Sequence, residues 1–374
     1  MNFIPYSKQS IEQDDIDAVV ETLKSDFLTT GPKIKEFEDA LSDYCGANYV
    51  VAVANGTAAL HLASLALLKS RDKVLTTPNS FLATSNSILY VGAKPIFVDI
   101  AEDGNIDLDL CEEVLKKDPS IKALYGVSFS GRMLNQKKLA YLRQTYNISI
   151  LEDNAHSIGA VYDGIKSGSC ANSECGIFSF HPVKHLTTAE GGAITTNSKE
   201  IYEKLLMLRA HGMVKTPDMK PWEYEMRELG FNYRITDIQC ALGLTQLKKQ
   251  VGFLQRRYEI AKAYDKALEN TNVKPLYTYD GTSSYHLYVV QVDFTKLSIT
   301  KEDLFNTLKE KNIGIQLHYI PINKQPYYKS LGYGSENTPV MDNYYRECFS
   351  LPMYPLLSDE EQSYVIKTLL EVLR

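Results

Sequence analysis

The stretch NYVVAVANGTAALHLASLALL, residues 48–68, predicts a β-strand that turns directly into an α-helix. Its first part, residues 48–54, is a short run of apolar residues, as in a strand buried inside a sheet. Its second part, residues 55–68, opens with Asn-Gly-Thr and continues with closely spaced apolar side chains, which favours a helix. A strand that passes at once into a helix is the repeating unit of α/β proteins.

Similar units follow along the chain. The strand KVLTTP (73–78) is predicted to lead into the helix SFLATSNSILYVG (80–92). Three further segments are predicted as strands: KPIFVDI (94–100), KALYGVS (122–128) and ISILED (148–153). Alternating strands and helices indicate a buried parallel sheet with helices on both faces. We therefore expect an α/β fold for this part of the chain.

The pattern changes after about residue 250. A long predicted helix at 250–270 leads to a strand at 285–294, and a further strand is predicted at 313–321. Three helix starts carry capping-box pairs, namely Ser10 with Gln13, Thr300 with Asp303, and Ser358 with Glu361. We expect a large domain at 1–249 and a smaller α+β domain at 250–374.

Composition bounds the function. The chain has 374 residues, 44% hydrophobic and 23% charged, which is typical of a packed globular protein of more than one domain. A formal charge of −6 without a long basic run argues against nucleic acid as a partner. No apolar run is long enough to span a membrane, and the first residues lack the features of a signal peptide, so we expect a cytoplasmic protein.

The six cysteines are scattered along the chain, with no CxxC pair and no His at metal-ligand spacing. We expect reduced, mostly buried thiols and no metal site. Chemistry is therefore sought in other side chains, at the carboxyl ends of the predicted strands, where open α/β sheets bind ligands.

The first candidate there is Asn55-Gly56-Thr57, between a predicted strand and helix. A glycine lets the backbone approach an anion closely, and the N–H groups of the helix N-terminus point at it. The same residues would equally serve as an ordinary helix cap. The second candidate is Asp153, in EDNAH at the end of the strand ISIL. Its carboxylate would either hold a cationic group or cap the next helix.

The third candidate is Lys184, in FSFHPVKHLTTAEGG (178–192). Most lysines are solvated surface groups, but this one lies among aromatic, His, Pro and Gly residues, between two predicted strands. Desolvation in such a loop would lower the pKa of the amine and make it a nucleophile toward an aldehyde. A phosphate site, a carboxylate and an amine are together what pyridoxal 5′-phosphate (PLP) requires.

Seven motifs occur in one order: GTAAL, TPNSF, EDNAHSIGA, FSFHPVKHLTTAEGG, RAHGM, GFNYRITDIQCALG and HYIP. In this order the chain resembles the DegT/DnrJ/EryC1/StrS family of PLP-dependent sugar aminotransferases over nearly its whole length. The resemblance implies the type I aminotransferase fold, with a mixed, mainly parallel sheet, and a homodimer with shared active sites.

The resemblance also implies roles for single residues. Lys184 would form a Schiff base with PLP, Asp153 would pair with the pyridine nitrogen, and both would be catalytic. The other cofactor contacts it implies are Gly56, Thr57 and Ser179 at the phosphate, Phe81 on the ring, His156 at the ring hydroxyl, and Asn232 reaching the phosphate of the neighbouring subunit. Many relatives carry Gln where this chain has His156. For His185 we expect a packed or solvated side chain and no role as a second base.

Some stretches point more narrowly within the family. EDGNID (102–107), HGMVK (211–215) and QLHYIPI (316–322) resemble members that transfer an amino group from L-glutamate to C4 of a UDP-linked 4-keto-6-deoxy-N-acetylhexosamine in pseudaminic acid biosynthesis. The substrate residues this implies are Tyr6, Thr30, Arg234, His318 and Tyr319, with Lys33 and Lys215 as further cations for the diphosphate. Relatives acting on dTDP- or GDP-linked keto sugars share most of these motifs.

Two alternatives come from other classes. A nicotinamide-dependent sugar oxidoreductase would need a GxGxxG motif after a strand, and none is present. A protein of the same fold that has lost catalysis and only binds a partner is opposed by the presence of Lys184 and Asp153.

Overall fold

A computed structural model describes residues 2–373. The strands are β1 (Tyr49–Val53), β2 (Lys73–Thr76), β3 (Lys94–Phe97), β4 (Ile121–Val127), β5 (Ser149–Asp153), β6 (Val161–Tyr162), β7 (Ile165–Lys166), β8 (Cys175–Ser179), β9 (Gly192–Thr196), β10 (Met213–Val214), β11 (Glu225–Met226), β12 (Lys274–Pro275), β13 (Tyr288–Gln291) and β14 (Cys348–Leu351).

The α-helices are α1 (Gln13–Leu23), α2 (Pro32–Cys45), α3 (Gly56–Leu67), α4 (Leu82–Tyr90), α5 (Leu108–Lys117), α6 (Gln136–Tyr146), α7 (Lys199–Arg209), α8 (Asp237–Leu268), α9 (Lys301–Glu310), α10 (Pro326–Ser330), α11 (Pro339–Glu347) and α12 (Asp359–Val372). Short 3-10 turns lie at Phe129–Gly131, Phe294–Lys296 and Ile322–Lys324.

One sheet of seven strands forms the centre of the fold, in the order β1-β9-β8-β5-β4-β2-β3. The pairs from β8 to β3 are parallel, whereas β9 is antiparallel to both of its neighbours, β1 and β8. Apolar cores lie on both faces, since Ile150 and Leu151, adjacent on β5, belong to different cores. The α/β fold with a mixed, mainly parallel sheet is therefore confirmed.

A smaller sheet, β12-β13-β14, lies in the C-terminal part of the chain. The prediction of a strand at 313–321 is wrong. This segment makes only isolated bridges, from Ile313 to Ile4 and from Gln316 to Ser350. Because its two ends pair with different segments, no continuous ladder forms.

Two of the three predicted capping boxes are confirmed, at Thr300 with Asp303 and at Ser358 with Glu361. The pair Ser10 with Gln13 is wrong, because α1 begins only at Gln13. There the backbone N–H of Glu12 donates to the Asp15 carboxylate at 2.9 Å, so the reciprocal pair lies two residues later than predicted.

The predicted domain boundary at residue 250 lies inside the 32-residue helix α8. The division into 1–249 and 250–374 stays a prediction. The buried residues of one large apolar core, apart from Ile4, all lie between positions 260 and 373, and Tyr264, Tyr288 and Leu369 are among them. A continuous helix thus passes from the region of the main sheet to this second core.

Candidate active site

A cavity of about 1260 Å³ opens where the parallel strands of the main sheet end. It brings together ten residues that the sequence singled out, namely Tyr6, Gly56, Thr57, Phe81, Asp153, His156, Ser179, Lys184, His318 and Tyr319. They come from segments that are far apart in the sequence, so only the fold collects them.

One wall of the cavity is the N-terminus of α3. Asn55 caps this helix, because its side-chain oxygen accepts from the backbone N–H of Ala58 at 2.8 Å. A Cβ atom on Gly56 would lie 3.0 Å from Cβ of Ser179, so the glycine allows β8 to approach closely. The cap is thus Asn55, and the first turn at Gly56 and Thr57 faces the cavity beside the Ser179 hydroxyl, an arrangement suited to an anion.

Asp153 ends β5 and is only 5% exposed. Its Oδ2 accepts from the Thr84 hydroxyl at 2.7 Å, and its Oδ1 accepts from the backbone N–H of Ala155 at 3.2 Å. No helix begins at this point among the described residues, so the helix-cap interpretation is wrong. Burial raises the pKa of Asp153, while these hydrogen bonds and nearby Lys184 oppose the rise.

Lys184 lies in the loop between β8 and β9, and this loop is held by its own hydrogen bonds. The Lys184 backbone N–H donates to the His181 carbonyl at 2.8 Å, and Phe180 exchanges backbone bonds with Gly191 and Thr188. The side chain is partly exposed to the cavity. Loss of solvent around the amine lowers the pKa of Lys184 to about 8, against the opposing effect of the Asp153 carboxylate.

His156 and Tyr319 face each other, with Nε2 of the imidazole 3.2 Å from the tyrosine hydroxyl. His156 is buried, and burial together with the charge of Lys184 holds its pKa well below the ordinary value. Nδ1 of His318 lies 2.8 Å from the Ser350 hydroxyl, and burial lowers the pKa of His318 to about 3. Both imidazoles are therefore neutral at physiological pH.

Five predicted residues lie outside this cavity, namely Thr30, Lys33, Lys215, Asn232 and Arg234. Thr30 and Asn232 are exposed, and Arg234 is half-buried next to β1, with an isolated bridge to Val53. Phe81 is at the rim with 60% of its surface exposed. A single chain therefore does not bring the whole predicted set together.

The two lysines predicted to bind the diphosphate, Lys33 and Lys215, contact other groups of the chain. Lys33 pairs with Glu36 at 2.7 Å, and the Lys215 amine donates to the Pro221 carbonyl at 2.6 Å. Among the cavity residues within 2–373, Lys184 is the only lysine or arginine. A strongly anionic ligand would thus find few positive charges in this chain alone.

His185 is packed, as expected. It is buried, and its Nε2 donates to the Ser284 carbonyl at 2.9 Å, since a carbonyl can only accept. All six cysteines are free and buried, also as expected. Within 2–373, no group of three or more His, Cys, Asp or Glu side chains could hold a metal, and no helix is long and apolar enough to cross a membrane.

Sequence reasoning missed several cavity residues, and Thr84 and His286 are two of them. Thr84 lies on α4 and carried no motif of its own, because its role arises from contact with Asp153. His286 precedes β13 in the segment YHLYVV, and a polar residue at the start of an apolar strand is the only signal that could have drawn attention to it.

The comparison with known proteins extends over the whole chain. The sequence model of the DegT/DnrJ/EryC1/StrS aminotransferase family matches residues 9–370. A UDP-4-amino-4,6-dideoxy-N-acetyl-beta-L-altrosamine transaminase from Campylobacter jejuni is 40% identical over 373 residues, which are 99% of this chain and 97% of that protein.

Solved structures agree. PseC from Helicobacter pylori, an aminotransferase involved in the biosynthesis of pseudoaminic acid, matches with a TM-score of 0.93 and 32% identity, over 100% of this chain and 99% of that one. The PLP form of Spr1654, a sugar aminotransferase from Streptococcus pneumoniae described as putative, matches with a TM-score of 0.90 and 31% identity, over 99% and 98% of the two chains.

Proposed function

Since the chain belongs to the DegT/DnrJ/EryC1/StrS aminotransferase family and is a PLP-dependent enzyme, we propose that it transfers an amino group from L-glutamate to C4 of a UDP-linked 4-keto-6-deoxy-N-acetylhexosamine, in pseudaminic acid biosynthesis. The observation that carries the proposal is the 40% identity, over 99% of the chain, to a transaminase named for such a sugar. We also propose that the reaction takes place in the cytoplasm.

The cavity fits PLP. Gly56 leaves room for a phosphate beside the first turn of α3 and the Ser179 hydroxyl, since a side chain there would meet Ser179. Nδ1 of His156 is buried without a hydrogen-bond partner within 2–373, so the imidazole can still make one polar contact. Phe81, exposed at the rim, would cover the face of the ring.

When bound, PLP supplies an electron sink for moving an amino group. Lys184 would bind it covalently, and the same amine would then carry a proton between donor and cofactor as general base and acid. A pKa of about 8 suits this task, because both protonation states are accessible near neutral pH. Asp153, fixed by Thr84, would keep the pyridine nitrogen charged.

We further propose a homodimer with shared active sites, in which Asn232 reaches the phosphate bound by the partner subunit. In one chain Asn232 is exposed and does not line its own cavity, although its neighbours Phe231 and Tyr233 do. Arg234, two residues further on, would bring a positive charge to a UDP diphosphate. Tyr6, Thr30, His318 and Tyr319 would contact the sugar.

The experiment offers the purified enzyme PLP, L-glutamate and a panel of 4-keto sugar nucleotides with UDP, dTDP or GDP. Release of 2-oxoglutarate is followed, and the position and configuration of the new amino group are determined by NMR. We expect turnover on the UDP-linked N-acetylhexosamine with nitrogen at C4. Turnover confined to a dTDP or GDP sugar, or nitrogen at C3, would contradict the substrate and leave the aminotransferase chemistry standing.

A further inference from the structure

Three buried histidines form a column that starts at the cavity wall, where His156 and His286 line the cavity. The ring of His286 lies between the other two, with its centroid 4.3 Å from that of His156 and 5.4 Å from that of His185. Each of the three is at most 3% exposed. Within residues 2–373, the Nδ1 atoms of all three lack a hydrogen-bond partner. The column extends from the active site into the protein interior.

The backbone of His286 is fixed from two sides. The buried guanidinium of Arg257, on α8, donates to the carbonyls of Tyr285 and His286 at 3.0 and 3.2 Å. The hydroxyl of Ser284 donates to the carbonyl of His156 at 3.1 Å, which ties the two segments together. The His286 ring is thus held at a set distance from His156.

The imidazole of His156 has few other restraints. Its Nδ1 has no partner, and its Nε2 has one contact, at 3.2 Å to Tyr319. The other rings around it are further away, with centroids at 6.0 Å for Phe129 and 6.2 Å for Tyr319. Packing against His286 is therefore the closest ring contact that fixes the orientation of His156.

We propose that His286 is a positioning residue of the active site, whose ring holds the His156 imidazole in place for its contact with the cofactor. The inference rests on the proposed role of His156 at PLP, but the ring contact itself is a property of the protein without PLP. Charged and titratable groups around His156 are Lys184, His185, His286, His318 and Tyr319. Removing the His286 ring would open space and admit water to His156.

The test compares His286→Ala with His286→Phe, which keeps a ring of similar shape. In the apo-protein with labelled histidine, the His156 signal, assigned through His156→Gln, is followed by NMR against pH. In the wild type and His286→Phe we expect no titration near the ordinary value of 6.5. In His286→Ala we expect titration toward that value, and about tenfold weaker PLP binding by absorbance, equivalent to about 1.4 kcal/mol.

His211→Asn is the matched control, because His211 is exposed and lies outside the cavity. We expect both readouts to match the wild type, and the same changes in this variant would overturn the proposal. A His286→Ala protein with a non-titrating His156 and unchanged PLP affinity would also overturn it. If His286→Ala does not fold, His286→Phe tests the proposal. Titration of His156 in that variant would show that a ring at position 286 does not hold His156 in place, and would overturn the proposal. Failure of the wild type to bind PLP would refute the proposed function and leave the NMR comparison valid.

Discussion

The hydroxyl of Thr84 donates a 2.7 Å hydrogen bond to Oδ2 of Asp153. It joins the first turn of α4 to the carboxyl end of β5, and both residues are buried. Burial raises the pKa of this carboxyl, and the Thr84 bond lowers it. Thr84 thus helps to keep Asp153 ionised in a place that favours the neutral acid.

Thr84→Val should therefore weaken the site while the fold is kept. We expect PLP affinity to fall about tenfold, the effect of losing one hydrogen bond to a charged group, about 1.5 kcal/mol. The loss of PLP affinity should increase as the pH falls, because Asp153 without the Thr84 hydrogen bond takes up a proton more readily. Absorbance titration with PLP measures it, and Thr84→Ser, which keeps the hydroxyl, should bind almost as well as the wild type. Equal affinity of the Val variant at all pH values would contradict this role.

Thr84 also shows where sequence reasoning stops. Its helix was predicted from the residues at 80–92, but the face of α4 that meets Asp153 is set by packing against the sheet. Lys184, Asp153 and the α3 turn could be predicted, because each follows the end of a strand and is identified by residues close to it in the sequence. The structure at 313–321, wrongly predicted as a strand, and the place of His286 in the cavity both depend on contacts with distant segments, which no local pattern encodes.

Lys184→Ala should fold and lose the covalent link to PLP. Borohydride treatment followed by mass spectrometry should find no trapped adduct, because the attacking amine is gone. Transamination should fall at least about 1,000-fold, the scale that general acid–base catalysis alone contributes. Lys199→Ala, a change on the exposed side of α7, is the control and should retain the adduct. An adduct in the Lys184 variant would show that another lysine binds PLP.

The pKa of Lys184 predicts a pH profile. Covalent PLP binding by the apo-protein, measured by stopped-flow absorbance, should be half-maximal near pH 8, since only the free amine attacks. Stability should also rise with pH between about 8 and the ordinary value of 10.5, because the unfolded chain then binds the extra proton. Lys184→Met should lose both effects. A binding rate that keeps rising toward pH 10.5 would contradict the lowered pKa.

Asp153→Asn should bind PLP but react slowly with the amino donor. The amide keeps the shape and removes the charge that favours a protonated pyridine nitrogen, so the half-reaction with L-glutamate should slow at least about 100-fold. The pKa of Lys184 should fall below its wild-type value, because the Asp153 charge raises it.

Glu152→Gln is the control for this change. Glu152 is the neighbouring buried carboxyl, and it accepts bonds from Gln136 and Ser173 at 2.6 and 2.7 Å, not from the cavity residues. We expect a normal half-reaction in this variant, so a loss in Asp153→Asn alone identifies the carboxylate that serves the cofactor. Wild-type rates in Asp153→Asn would mean that its charge has no part in the reaction.

Asn232→Ala should weaken PLP binding and dimerisation together, if each site takes Asn232 from the other subunit. Ligand that binds only the paired, folded state stabilises the dimer by mass action, so PLP should shift the wild type toward dimer in light scattering. Asn343→Ala, an exposed asparagine on α11, should leave both properties unchanged. A fully active monomer would refute the shared site.

Mixing subunits gives the sharpest form of this test. A Lys184→Ala chain still carries Asn232, and an Asn232→Ala chain still carries Lys184. In a mixed dimer one site therefore receives both defects and the other receives none. After exchange of equal amounts, half of the dimers are mixed, so roughly a quarter of all sites are intact, as follows from two-fold symmetry. Activity should rise to about that fraction at PLP concentrations too low to support either variant alone. If Asn232 served its own subunit, every site in every dimer would carry one defect and mixing would restore nothing.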